Sequence, residues 1–299
     1  MRFLYSFLIA IIVVTGGCRR SNSSNCCGSS CSCGKAQSTL NETNIPAEHQ
    51  QHDQEHTHSE LQQEQQQSDD HISQAHDAAS SPMLEVKGGP KGRLITRKAY
   101  ITSYNATTRQ PNWVAWTLTA DHTDGNLKYR NFSEDNSLPE PRATLDDYRD
   151  SGYSRGHICP AGDNKWDETA RNETFLLSNI CPQDRDLDGG TWNQIEMACR
   201  EWAKRYGEVH IVSGPIFYSD RPRTIGRNRI AVPDAFFKVI ARGNGDSAHT
   251  IAFVCPNTGN TGKKAQYVTS VTNVEKATGM TFFPTLPSSA KSQSTLDTW

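Results

Sequence analysis

From about residue 83 onward, apolar residues fall into short, widely spaced runs. "RLITRKAYITSY" (93–104) and "WVAWTLTA" (113–120) are rich in β-branched and aromatic residues, which predicts strands. "RQPN" between them is a turn signal. "EVHIVSGPIF" (208–217), "AFFKVIAR" (235–242) and "HTIAFVCP" (249–256) predict three more strands, and "NGD" (244–246) suits a hairpin between the last two. The spacing changes after Gly189-Gly190. Trp192, Ile195, Cys199, Trp202 and Tyr206 recur at three and four residues, one apolar stripe of a helix. Thr191 and Gln194 form a capping-box pattern, and Gly207 suits the far end. Glu196 and Arg200 share another face of that helix. A second helix is predicted from Val271 to about Ala277. Many strands with few helices, not strictly alternating, give an α+β domain on a central, largely antiparallel sheet.

The chain before this domain has a different character. Arg2 precedes a twelve-residue apolar run, "FLYSFLIAIIVV" (3–14), too short to span a bilayer, which takes about 20 residues. "TGGC" follows, so residues 1–17 read as a signal peptide of lipoprotein type, with Cys18 the lipidated residue. That predicts an exported protein anchored at a bacterial cell envelope, or a secreted one if cleavage leaves no lipid. Residues 18–82 are rich in Ser, Gln, His, Asp and Glu and nearly free of large apolar side chains. Such a segment cannot bury enough surface to offset its ordering entropy, which predicts a disordered tether. Residues 288–299 are expected to form a flexible tail, leaving 83–287 as the folded domain.

Charge follows the same division. Residues 1–82 hold four Lys/Arg and nine Asp/Glu; taken from totals of 31 and 33, this leaves 27 basic and 24 acidic residues in 83–299. The whole-chain net charge of −2 therefore conceals a domain at +3. A polyanionic partner is permitted, but a binder held by charge alone would be far more basic. Of nine cysteines, eight remain if Cys18 carries lipid, an even number that favours disulfides in an exported protein. "NCCGSSCSCGK" is compatible with a disulfide knot or a metal clip, yet matches no defined zinc spacing. Cys159 and Cys181 are open to pairing, which sequence alone does not assign.

Most chemistry-bearing residues cluster within 50 positions. "SGYSRGHICPAGDN" (151–164), "FLLSNICPQ" (175–183) and "DRDLDGG" (184–190) bring together a base, cations, an amide and carboxylates. That set suits metal-assisted hydrolysis of a phosphate ester. The reaction needs a base for water, a divalent ion on the phosphate and positive groups facing developing charge.

At these residues the chain resembles the DNA/RNA non-specific endonucleases. "YSRGHICPAGD", "FLLSNICPQ" and "LDGGTWNQIE" occur in the family's order and spacing, and "WVAW", "VSGPIF" and "EKATGMTFFPTLP" extend the likeness over about 93–287. The resemblance implies a ββα-metal finger with one Mg²⁺, or Mn²⁺ or Ca²⁺ in its place. It implies DNA and RNA as substrates and products carrying a 5′-phosphate, and it leaves room for an inhibitor protein as a partner. His157 matches the general base, and imidazole titrates near neutrality. Arg155 matches the phosphate-contacting arginine, Asn179 the site amide, and Glu196 the helix glutamate that orients metal-bound water. Arg130, in "YRNF", matches an upstream substrate-binding arginine across a loop of different length.

Two positions depart from the family pattern. Ser154 replaces the Asp before Arg-Gly-His, and Asp188 stands where the metal-binding Asn is usual. A carboxylate is a good hard-oxygen ligand for Mg²⁺ or Ca²⁺. Two other function classes stay open at this level. One is a surface metal-binding lipoprotein with an inactive nuclease-like domain; the other is a nucleic-acid-binding protein that has lost catalysis at Asp188.

Overall fold

The computed structural model describes residues 81–126, 130–259 and 262–299. The signal peptide, Cys18 and all but the end of the expected tether lie outside the described residues. In chain order the strands are β1 (Val86–Gly88), β2 (Arg93–Thr96), β3 (Ile101–Asn105), β4 (Gln110–Thr119), β5 (Ser154–His157), β6 (Ile180–Gln183) and β7 (Glu208–Ile216). Then follow β8 (Thr224–Ile225), β9 (Ile230–Ala231), β10 (Ala235–Arg242), β11 (His249–Pro256), β12 (Val268–Thr269) and β13 (Met280–Phe282). The longer described helices are α1 (Glu168–Thr174), α2 (Asn193–Tyr206) and α3 (Val271–Thr278).

Seven strands form one antiparallel sheet in the order β12-β11-β10-β7-β4-β3-β2. Its central strands are buried on both faces, so they read as near-continuous apolar runs. Successive side chains go to opposite sides. Val114, Trp116, Ile211, Phe236, Ile240 and Phe253 join one core, against Ile195, Cys199 and Trp202 of α2. Their neighbours Ala115, Val212, Phe237, Val239 and Ala252 join the other, against Val271 and Val274 of α3. The sheet is thus the middle of three layers, and α2 lies on the face that carries the finger.

The apolar stripe places α2 correctly, but its start differs. The segment Asp188–Trp192 is already helical and kinks at Gly190 (φ −101°, ψ −108°) before α2 begins. No capping box forms, because the Thr191 hydroxyl donates to the Gly262 carbonyl instead. The run 93–104 is two strands rather than one, turning back at residues 97–100 so that Thr96 faces Ile101. "RQPN" lies mostly inside β4; the turn comes earlier and ends at Arg109, whose φ is +59°.

Residues 288–299 do not form a flexible tail. Ala290 is buried in the second core, and Trp299 is buried in the first, 4.8 Å from Trp202. Arg242 donates to the Thr298 carbonyl (2.7 Å) and stacks over Tyr206. The tail's aromatic side chain supplies an area gain that composition alone hid.

Ile195 bridges α2 and the sheet with no exposed surface, whereas Met197, two residues on, is 53% exposed. Ile195→Ala should cost about 2–5 kcal/mol. Met197→Ala should stay within about 0.5 kcal/mol. Urea denaturation of both variants checks the orientation of α2.

Candidate active site

The finger is a pair of short antiparallel strands, joined by a long connection that carries α1, followed by α2. β5 and β6 pair antiparallel, with Ser154 opposite Gln183, Gly156 opposite Cys181 and His157 opposite Ile180. Gly156 is required by contact: a Cβ there would sit on the Gln183 side chain. Alternation along β5 puts Arg155 and His157 on the same face.

His157 is held by two aromatic rings, Phe132 at 5.1 Å and Phe175 edge-on at 5.0 Å. Its Nε2 is buried and has no hydrogen-bond partner among the described residues. Burial first, then the Arg155 charge, lowers its pKa from 6.5 to about 4. The imidazole is therefore neutral at pH 7, the form that accepts a proton. Arg155 is exposed and stacks its guanidinium on Phe132 at 4.5 Å. It makes no ion pair among the described residues, which leaves its donor fork to an anion.

Phe132 thus separates and supports both groups. It lies in the "YRNF" piece, where Arg130 was the residue expected at the site and the aromatic residue that follows was given no role. Only its place two residues beyond that arginine signalled it. A strap fixes both rings. Ser133 accepts from Leu177 N (2.9 Å) and donates to the Phe175 carbonyl (3.1 Å), and buried Asp135 accepts from Ser178 (2.6 Å).

Asn179 lies beneath the cleft. Its Nδ2 donates to the carbonyls of Cys159 (2.9 Å) and Thr174 (2.8 Å), and its Oδ1 accepts from Cys159 N (3.0 Å). With both amide hydrogens and the oxygen engaged by backbone, Asn179 is placed as a positioning residue. The resemblance implied an amide that hydrogen-bonds within the site, and these are the bonds that it makes.

Asp188 sits on the turn ahead of α2. Burial raises its pKa, opposed by a hydrogen bond from the Ser154 hydroxyl. The two departures from the family pattern are therefore partners. Glu196, on the first turn of α2, is pushed up to about 7 by burial, although the Lys238 charge opposes this. The charges of Asp163 and Asp188 push the same way as burial. Glu196 does not pair with Arg200, which binds buried Asp163 at 2.9 Å instead. Asp163 also accepts from Trp116 Nε1 (3.2 Å), so it shapes the turn after His157.

His157, Arg155, Asp188 and Ser154 line one cavity of about 720 Å³, together with Phe132 and Tyr153. Arg130 does not. It lines a separate cavity of about 420 Å³, bonded to Asn172 (2.6 Å) and paired with Glu168 (3.5 Å). Among the described residues no group of three or more His, Cys, Asp or Glu can cage a metal. Asp188 and Glu196 nevertheless fit an ion that keeps most of its water, because burial raises the proton affinity of both carboxylates, the Asp188 charge adds to this at Glu196, and a cation relieves it. Cys159 and Cys181 are free, buried thiols, so no disulfide stiffens the finger.

A mixed sheet-and-helix domain with this finger defines a class, and comparison with known proteins identifies it. Residues 80–289 match the DNA/RNA non-specific endonuclease family, and the chain belongs to it. Nuclease EXOG, mitochondrial, of Mus musculus is 39% identical over 233 residues, covering 71% of this chain and 63% of that protein. Endonuclease G, mitochondrial, of Bos taurus is 32% identical over 242 residues, covering 70% and 80%. Endonuclease G in its complex with the inhibitor EndoGI superposes with a TM-score of 0.63 at 30% identity, covering 68% of this chain and 90% of that one. The chain spans a little under two thirds of the mouse EXOG protein. These matches correct the expected location. EXOG, endonuclease G and Nuclease 1 of Schizosaccharomyces pombe are mitochondrial nucleases, not envelope lipoproteins.

The depressed His157 pKa has a consequence for stability. Between pH 6.5 and about 4 the unfolded chain binds a proton at this residue and the folded chain does not, so stability falls with pH across that window and the loss stops below it. His157→Asn should lack this component. The difference in urea stability between the two proteins, measured in chelator from pH 7 to 4, should narrow as the pH falls.

Proposed function

We propose that this chain is a metal-assisted endonuclease that hydrolyses phosphodiester bonds of DNA and RNA with little sequence preference. One observation carries the reading: a neutral imidazole with a buried, unpartnered nitrogen shares a cleft with an unpaired guanidinium and a carboxylate. Family membership supports the same chemistry. Phosphate contacts carry no sequence information, which fits a cleft whose free cation is a guanidinium.

His157 takes a proton from a water attacking the phosphorus. A bond forms from that water oxygen to phosphorus, and the bond to the 3′ oxygen breaks. The products are a 3′-hydroxyl and a 5′-phosphate, the leaving oxygen taking up a proton. Arg155 binds a non-bridging phosphate oxygen and faces the charge that develops there. Phe132 and Phe175 keep the imidazole dry and in one orientation. Asp188 would hold the cation directly, with Glu196 orienting its water; Mg²⁺ fits this oxygen donor set, as do Mn²⁺ and Ca²⁺. When bound, the ion supplies charge neutralisation at the phosphate.

His157→Ala should reduce plasmid cleavage by at least about a hundredfold while circular dichroism and the thermal midpoint stay near those of the wild type. Chelator should silence the wild type, and added Mg²⁺ should restore it. Full cleavage by the purified variant contradicts the assignment.

A further inference from the structure

The cleft that holds His157 is also lined by Arg149 and Arg185. Their surroundings differ. Arg149 is paired with Asp146 at 2.6 Å, so its charge is already compensated. Arg185 is exposed and makes no ion pair or hydrogen bond through its side chain among the described residues. The nearby carboxylates are engaged elsewhere. Asp184 caps its own turn, accepting from the amides of Asp186 (2.9 Å) and Leu187. Asp186 turns toward Gly259, where an added Cβ would lie 3.0 Å from its carboxylate. Asp188 takes the Ser154 hydroxyl.

The mounting of Arg185 is rigid. Its turn is anchored by buried Leu187 and by Asn257, which accepts from Asp184 N (2.7 Å) and donates to the Pro182 carbonyl (3.0 Å). Arg185 and Asp188 are three residues apart on one helical turn, so they are neighbours on its surface. An uncompensated guanidinium on a fixed turn, in a cleft beside the candidate metal ligand, is built to meet an anion.

We propose that Arg185 is a second phosphate-binding residue of this cleft. Arg155 takes the scissile phosphate from β5, and Arg185 takes a neighbouring backbone phosphate from the turn that carries Asp188. It fills the part expected of Arg130, which the fold places in another cavity, tied to Asn172 and Glu168. The proposal rests on the nuclease reading above.

The test is binding of a fluorescein-labelled DNA oligonucleotide, followed by anisotropy with Mg²⁺ across a salt series. Every protein carries His157→Ala so that the DNA stays intact. Arg185→Ala should weaken binding about tenfold and lower the slope of log K against log salt by about one. Arg185→Lys should keep the slope and most of the affinity, and Arg149→Ala should change little. Unchanged affinity and slope in Arg185→Ala overturn the proposal. Cleavage of plasmid by the wild type decides the nuclease reading separately: if it cuts, an unaffected Arg185→Ala sinks only this inference. If the protein neither cuts nor binds DNA, both fail.

Discussion

The amide side chain of Asn179 is the constraint on which the site depends. It joins three pieces of chain that share no continuous secondary structure: the start of β6, the loop after β5 and the end of α1. The backbone of the same residue accepts from Ile158 N at 3.0 Å, directly after His157. Thr174, bound by the amide, precedes Phe175, one of the rings that hold His157. One fully buried amide therefore sets the height of the base above the sheet and the place of its aromatic wall. Its bonds lie where an unsatisfied polar group costs most, so the arrangement has little freedom to drift.

Below this lies a second constraint, made of charge. Lys238 rises from β10 into the core, with Nζ 4.9 Å from the Trp116 ring and 4.6 Å from the Trp192 ring. It has no hydrogen-bond partner among the described residues. Two tryptophan faces give it the stabilisation that a carboxylate contact usually supplies. Its field favours the charged forms of both Glu196 and Asp163, against burial. The finger thus rests on a layer of buried charge that joins Lys238, Asp163 and Glu196.

Much of this was legible in the sequence. β10 and β11 match the apolar runs at both ends, because strands buried on both faces are long and unbroken. The stripe on α2 was readable because one face packs and the other does not. The ordered motifs include His157, Arg155 and Asp188, which line one cleft, and Glu196, which lies outside that lining on α2. What escaped were matters of tertiary partnership. Thr191 forms no cap because Gly262, 71 residues on, competes for its hydroxyl. Arg130 leaves the cleft because Asn172 and Glu168 lie nearer. Phe132 had no role assigned because a lone aromatic residue in a loop carries no periodicity. The meeting of Ser154 and Asp188, 34 residues apart, had no local signal, yet it joins the two departures from the family pattern.

If the Asn179 amide sets the site by holding backbone, its loss must register in the fold as well as in the reaction. The decisive measurement is the urea unfolding free energy of Asn179→Ala against the wild type, taken in chelator so that no ion contributes. Removing the side chain leaves two buried carbonyls and one amide without partners. At about 1–3 kcal/mol for each orphaned group, the variant should lose at least roughly 3 kcal/mol. Wild-type stability combined with lost cleavage would contradict the account, because it would mean that Asn179 acts on the reacting atoms and not through the backbone it binds.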